Sequence, residues 1–106
     1  MSADTWTHAE KRAARRIYDA ALERELAQVM AEFKRRAAAA SQPQDMWAVE
    51  TYLSKAGRDI NVKYDYRYSV LEFVFARLLR EGRIEDSELH GLSDDRLERI
   101  RRIAAL

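Results

Sequence analysis

Residues 18–37 read YDAALERELAQVMAEFKRRA, and Tyr18, Leu22, Leu26, Val29, Phe33 and Ala37 recur there at steps of three and four. That period belongs to one face of an α-helix, with Glu23, Lys34 and Arg35 falling elsewhere on the wheel. Upstream, Thr7-His8-Ala9-Glu10 has the capping-box pattern, in which a Thr hydroxyl and a Glu carboxylate satisfy two orphan backbone donors. The spacing therefore predicts a single helix from Thr7 to about Ala40. At about 1.5 Å per residue it is ~50 Å long, more than a compact domain of this size is wide, so part of it must project.

Ser41-Gln42-Pro43 interrupts the pattern, and Pro43 suits the first position of a new helix, where its missing N–H costs nothing. Met46, Val49, Leu53, Ala56 and Ile60 then repeat at helical spacing, so a second helix can return antiparallel along the first and share a seam with it. A projecting hairpin with an apolar face has nothing else in this chain to cover it, and a second copy of the hairpin is the natural cover. The expected architecture is all-α: two long antiparallel helices forming a stalk over about residues 7–62, a four-helix bundle in a homodimer, and a small helical head over about 63–106. The expected dimer interface is Leu22, Leu26, Val29, Met30, Phe33, Met46, Val49 and Leu53.

Asp65 to about Arg80 carries Val70, Leu71, Phe73, Val74, Phe75, Leu78 and Leu79, apolar around much of a helix and suited to the buried centre of the head. Val70 to Phe75 alone also fits a short strand; the continuation to a stop at Gly82 favours helix. Ile84, Leu89 and Leu92 mark a short helix or turn. Ser93 then caps a last helix with Leu97, Ile100, Ile103 and Ala104 on one face.

Composition narrows the function. With 19 basic against 18 acidic side chains, the chain has no global field to steer nucleic acid or an anionic membrane. The absence of Cys excludes disulfides, thiolate metal sites and a Cys nucleophile. Met1-Ser2-Ala3-Asp4 lacks the features of a signal peptide, and no window approaches the ~20 apolar residues of a membrane span, so a cytoplasmic protein is expected. His8 and His90 are isolated. Asp86 and His90 could meet at i,i+4, but two ligands do not make a metal site. No nucleophile elbow or Gly-rich phosphate loop occurs, so neither an enzyme nor a cofactor is expected.

Arg96, Arg99, Arg101 and Arg102, with Arg15-Arg16 and Arg35-Arg36, allow an alternative reading as a small nucleic-acid-binding regulator. Asp94, Asp95 and Glu98 balance the terminal set, and no recognition helix with base-reading polar residues is evident, so no nucleic-acid partner is expected. Residues 62–69, VKYDYRYS, pack three tyrosines and three charges between helices. Such a cluster fits either a packed corner or a protein interface, since Tyr and Arg anchor interfaces.

Residues 63–82, KYDYRYSVLEFVFARLLREG, resemble the K-Y-D-x-R-x-S-V-x-x-F-V-F-A-x-L-L-x-E-G stretch of the fluorescence recovery protein family. The resemblance runs from Trp6 through Asp45-x-Trp47 and Leu53-Ser54 to Leu106. It implies an all-helical homodimer with a stalk and a head. The implied activity is non-enzymatic: binding photoactivated orange carotenoid protein, chiefly through that protein's C-terminal carotenoid-binding domain, and speeding its return to the inactive orange form.

Carried over residue by residue, Trp47, Phe73 and the basic residue at Arg99 match the family's partner-binding positions. Glu50-Thr51 stands where the family has His-Asp, and Gly57 where it has an arginine. Arg58 is adjacent, rotated by about 100° around the helix. Tyr64 of the 62–69 cluster completes the expected surface. Gly57 weakens a helix interior by ~1 kcal/mol against Ala, which implies a bend, an early helix end or close approach of another backbone. The three departures leave open a second reading, a dimer of the same fold with a different protein partner.

Overall fold

The computed structural model describes residues 5–106; the opening Met1-Ser2-Ala3-Asp4 lies outside the described residues. Four α-helices follow in order, α1 His8–Ala39, α2 Pro43–Lys63, α3 Leu71–Arg80 and α4 Asp94–Ala104, with a 3₁₀ turn at Asp86–Leu89. No strand occurs among them, so Val70 to Phe75 is not one. The capping box at the start of α1 is formed: the Glu10 amide donates to Thr7 Oγ1 at 3.1 Å, and the Thr7 amide donates to Glu10 Oε1 at 3.3 Å. At the hairpin tip, Asp45 Oδ2 accepts from the amides of Ser41 (2.9 Å) and Gln42 (3.0 Å), while Pro43 opens α2. α2 then runs through Gly57 to Lys63, so of the three alternatives at Gly57 the early helix end does not occur.

α1 and α2 lie antiparallel; Val29, Val49, Ala56 and Ile60 lie in the seam as expected, whereas Ala21, Glu25, Glu32, Arg36, Asp45 and Tyr52 stand there in place of Leu22, Leu26, Phe33, Ala37, Met46 and Leu53. The seam is formed by Ala21, Glu25, Val29, Glu32 and Arg36 of α1 and by Asp45, Val49, Tyr52, Ala56, Ile60 and Lys63 of α2, all buried or half-buried, with Leu22 and Phe33 half-buried at its edge. Arg36 stacks over the Tyr52 ring at 4.5 Å, and Lys63 Nζ donates to Glu25 Oε2 at 2.7 Å. Several seam positions are thus polar groups paired with one another. The large apolar side chains Leu26, Met30, Met46 and Leu53 stand one residue further on and are exposed.

The core sits at the other end of α1. Ala13, Ala14, Ile17 and Ala21 are buried against Leu71, Phe75 and Leu78 of α3, Leu89 of the 3₁₀ turn and Ile100 of α4. Close approach is set by small residues: Gly91 adopts φ +98°, and a Cβ there would stand 2.7 Å from the Cβ of Ala13. α3 ends in a Schellman motif, with the Arg83 amide donating to the Leu78 carbonyl at 2.8 Å and Gly82 at φ +74°. The molecule measures 60 × 25 × 20 Å, the long axis being the projecting hairpin.

One expected boundary is wrong. Residues 64–67 are not helical, with Tyr64 extended, and α3 begins only at Leu71 after a turn at 67–70. In an extended chain, alternate residues share a side. Tyr64, Tyr66 and Tyr68 stack with Tyr18 and Trp6 at centroid distances of 5.4 Å (Tyr64–Tyr18), 4.8 Å (Tyr66–Tyr18), 5.7 Å (Tyr66–Tyr68) and 5.4 Å (Trp6–Tyr68). Arg15 lies 3.7 Å over the Tyr66 ring. A period of two, strapping the chain across α1, displaces the first turn and a half of the expected helix.

Candidate functional surface

α3 buries Leu71, Val74, Phe75 and Leu78 on one side and turns Phe73 outward, 61% exposed. This corrects the expectation that Phe73 belongs to the centre of the head. Phe73 stands between two clefts. One, of about 440 Å³, is lined by Trp6, Tyr68, Ser69, Glu72 and Arg99 beside it; the other, of about 220 Å³, includes Val62, Asp65 and Arg77. Exposed aromatic area with a nearby guanidinium is the composition of an interface anchor.

The floor under Phe73 is an ion network. Arg96, almost wholly buried, donates from Nε to Glu10 Oε2 at 2.8 Å, pairs with Glu72, and stacks 3.8 Å over the Trp6 ring. Arg99 grips Glu72 with two parallel bonds of 2.9 Å. Burial raises the pKa of the Glu72 carboxyl, but Arg99 and then Arg96 outweigh it and hold the carboxyl below its usual range. Glu10 behaves likewise: burial raises its pKa, while Arg96 and the Ser93 and Thr7 amides lower it further. Together these bonds tie α1, α3 and α4 and hold Arg99 beside Phe73. They also engage Arg96 and Arg99 of the arginine strip that allowed the alternative nucleic-acid reading, and Arg101 pairs with Asp86 at 2.8 and 3.0 Å. Asp86 is thereby turned to Arg101.

The remaining expected residues fall into three places. Helix geometry rotates each successive side chain by about 100°. Measured from the seam at Asp45, Val49, Tyr52 and Ala56, one step on gives Met46, Glu50, Leu53 and Gly57. For antiparallel helices this is the same side of the hairpin as Leu26, Met30 and Phe33. Two steps on gives Trp47, Thr51, Ser54 and Arg58 along the outer edge of α2, with Trp47 63% exposed. Glu50 and Gly57 therefore share the apolar face, whereas Trp47, Thr51 and Arg58 form a separate ridge. At Gly57 a Cβ would meet nothing within 4 Å, so no other part of the described chain approaches it.

Tyr64 is not on the surface at all. It is buried, its hydroxyl donating to Glu25 Oε1 at 2.8 Å. Burial, reinforced by the Glu25 carboxylate, raises its pKa. Lys63 donates to Glu25 at 2.7 Å and to Glu81 at 2.6 Å, so this junction joins α1, α2 and the end of α3. Val62 and Tyr68 belong to the 62–69 cluster read in the sequence as a packed corner or an interface, whereas Trp6 was not read as a site residue. The Tyr64-Tyr66-Tyr68 alternation was the signal that could have placed Tyr68 beside Phe73.

The family model described as photoprotection regulator fluorescence recovery protein matches residues 6–104. The chain belongs to this family. It is 37% identical to the fluorescence recovery protein of Synechocystis sp. PCC 6803 over 101 residues, covering 95% of this chain and 93% of that protein. The fold is similar to the solved fluorescence recovery proteins of Fremyella diplosiphon, at 34% identity, and of Synechocystis sp. PCC 6803, at 36%. Each match has a TM-score of 0.92 and covers 96% of this chain and 100% of the other. The all-helical hairpin and head are thus those of fluorescence recovery proteins, a family of photoprotection regulators. No helix among the described residues is long and apolar enough to cross a membrane, and no group of three or more His, Asp or Glu side chains there could hold a metal ion.

Proposed function

We propose that this chain is a cytoplasmic, non-enzymatic regulator that binds photoactivated orange carotenoid protein and speeds its return to the inactive form. The observation that carries the reading is Phe73: in a chain of a photoprotection-regulator family, this aromatic is held outward on a rigid helix beside Arg99. Trp47 supplies a second exposed anchor. No bond to the partner is made or broken; acceleration requires tighter binding of the partner's barrier state than of its activated state.

In the proposed division of labour, the head carries Phe73 and Arg99, and the projecting hairpin self-associates. Leu26, Met30, Met46 and Leu53 are exposed on one hairpin side, with Leu22 and Phe33 half-buried beside them and Val29 and Val49 in the seam beneath. An apolar side of that kind is covered by its like in a homodimer.

Gel filtration with light scattering tests both parts. The chain alone is expected at twice its monomer mass, and a complex is expected on mixing with photoactivated orange carotenoid protein or its isolated C-terminal domain. Absence of any complex at tens of micromolar contradicts the partner assignment. A second reading, a different protein partner for the same dimer, is favoured by Glu50, Thr51 and Gly57, which stand where the family has His, Asp and Arg. A dimer without a complex is its signature.

A further inference from the structure

Along the outer face of α1, between His8 and Tyr18, the exposed residues are His8, Ala9, Lys11, Arg12, Arg15 and Arg16, so no acidic side chain is exposed there. Lys11 with Arg15 and Arg12 with Arg16 are like charges one turn apart, an arrangement that opposes helix formation. They also stand beside the end of α1 whose unpaired amides already carry positive charge. The helix gains nothing from them, yet three of the four are held in place, mostly by neutral groups. Lys11 lies 5.1 Å over the Tyr68 ring and Arg15 3.7 Å over the Tyr66 ring, while Arg16 donates to the Glu88 and His90 carbonyls at 3.0 and 2.6 Å. Ring faces and carbonyls fix a cation without cancelling its charge. Among the described residues, the acid bonded to the cluster is Asp19, 3.4 Å from Arg15, and both side chains of that pair are more than half exposed. Glu10 is turned inward to Arg96, and the Glu88 carboxylate is bonded by Arg24. Arg12 is bonded by no acidic side chain among the described residues.

We propose that this face of α1 is a docking site for an acidic segment of a protein, whose carboxylates are received by Arg12 and Arg16 and flanked by Lys11 and Arg15. The cluster spans ~8 Å along the helix axis. Beyond it the same face turns acidic, with Asp19 and Glu23 exposed. A nucleic-acid strand laid along α1 brings phosphates against those two carboxylates, whereas a protein segment can present acids to the first stretch and a cation to the second. Lys11 and Arg15 also cover ring faces of Tyr68 and Tyr66 that would otherwise stack on bases. No large apolar side chain is exposed between His8 and Tyr18 to enter a bilayer. The face meets the Phe73 cleft at Tyr68, and the proposal stands whichever partner that cleft takes.

Fluorescence anisotropy at low and high salt tests this with a labelled helical peptide carrying four glutamates followed by two lysines on one face. The same residues in scrambled order, a single-stranded RNA and vesicles of anionic lipid serve as the other probes. Wild type is expected to bind the ordered peptide more tightly than the other three, with binding that weakens as salt rises. Arg12→Glu is expected to weaken peptide binding about tenfold at low salt, and Arg12→Lys to keep most of it. Because Arg12→Glu replaces a like-charge pair by Glu and Arg one turn apart, its Tm is expected to match or exceed that of wild type, with unchanged mass. Equal binding by Arg12→Glu and wild type overturns the site, as does a change in mass, which would place the face in self-association. Wild type binding no peptide, or both peptides alike, overturns it too. RNA or vesicles bound more tightly than the ordered peptide overturn the protein occupant.

Discussion

Arg96 and Glu10 lie 86 positions apart and meet in the head at 2.8 Å, with Glu72 alongside. Removing one partner of a buried ion pair leaves an uncompensated charge, so Arg96→Ala is expected to cost about 3–5 kcal/mol in urea unfolding. Glu10 and Glu72 have folded-state pKa values below the ordinary carboxylate value of 4.5. Their contribution is therefore complete above that value and is lost as pH falls beneath it toward the folded-state pKa values. Stability is expected to drop on acidification below about pH 4.5, and Glu72→Gln to flatten that drop. Two glycines should respond in opposite directions. Gly57→Ala is expected to raise stability by up to ~1 kcal/mol, since the added Cβ meets nothing. Gly91→Ala is expected to lower Tm, because it meets Ala13 in a conformation that L side chains rarely adopt. The caps at Thr7 and Ser93 were legible in sequence because donor and acceptor are three residues apart. The Arg96 cluster was not, since nothing local distinguishes it from a solvated arginine strip.

At the scale of elements, periodicity located both long helices and both ends of the hairpin loop. It placed Val29, Val49, Ala56 and Ile60 in the seam where they belong, and Leu26, Met46 and Leu53 there where they do not. The intrachain seam takes Glu25, Glu32, Arg36 and Lys63 because they neutralise one another or nearby charges: Glu25 meets Lys63 at 2.7 Å, and Arg36 meets Glu32 at 2.8 Å. That frees Leu26, Met30, Met46 and Leu53 for another surface. Met30→Glu combined with Leu53→Glu is accordingly expected to halve the mass in light scattering while helical circular dichroism persists. An unchanged mass would place self-association elsewhere. The start of α3 was misjudged because apolar density around Val70 masked the alternation of Tyr64, Tyr66 and Tyr68. The strap they form is stabilised by stacking on Tyr18 and Trp6, residues far away in sequence.

Across the whole molecule, the first half of α1 is built into the head and its second half into the hairpin, so one continuous helix fixes Phe73 relative to Trp47. The ion cluster of Glu25, Lys63 and Glu81 stiffens the place where these halves meet. Two exposed aromatics on one rigid frame can engage a partner in one conformation and not in another, which is what a regulator without chemistry of its own requires. The fold of this frame was legible in the sequence. The separation of Glu50 and Gly57 from Trp47 and Arg58 was not, because it depends on which residues occupy the seam. The most direct measurement of the account is the dark decay of photoactivated orange carotenoid protein, followed by its red-to-orange absorbance change with and without this chain. The account predicts faster decay that rises with the amount of chain added and returns toward the unassisted rate with Phe73→Glu; a decay rate untouched by stoichiometric wild-type chain would contradict it.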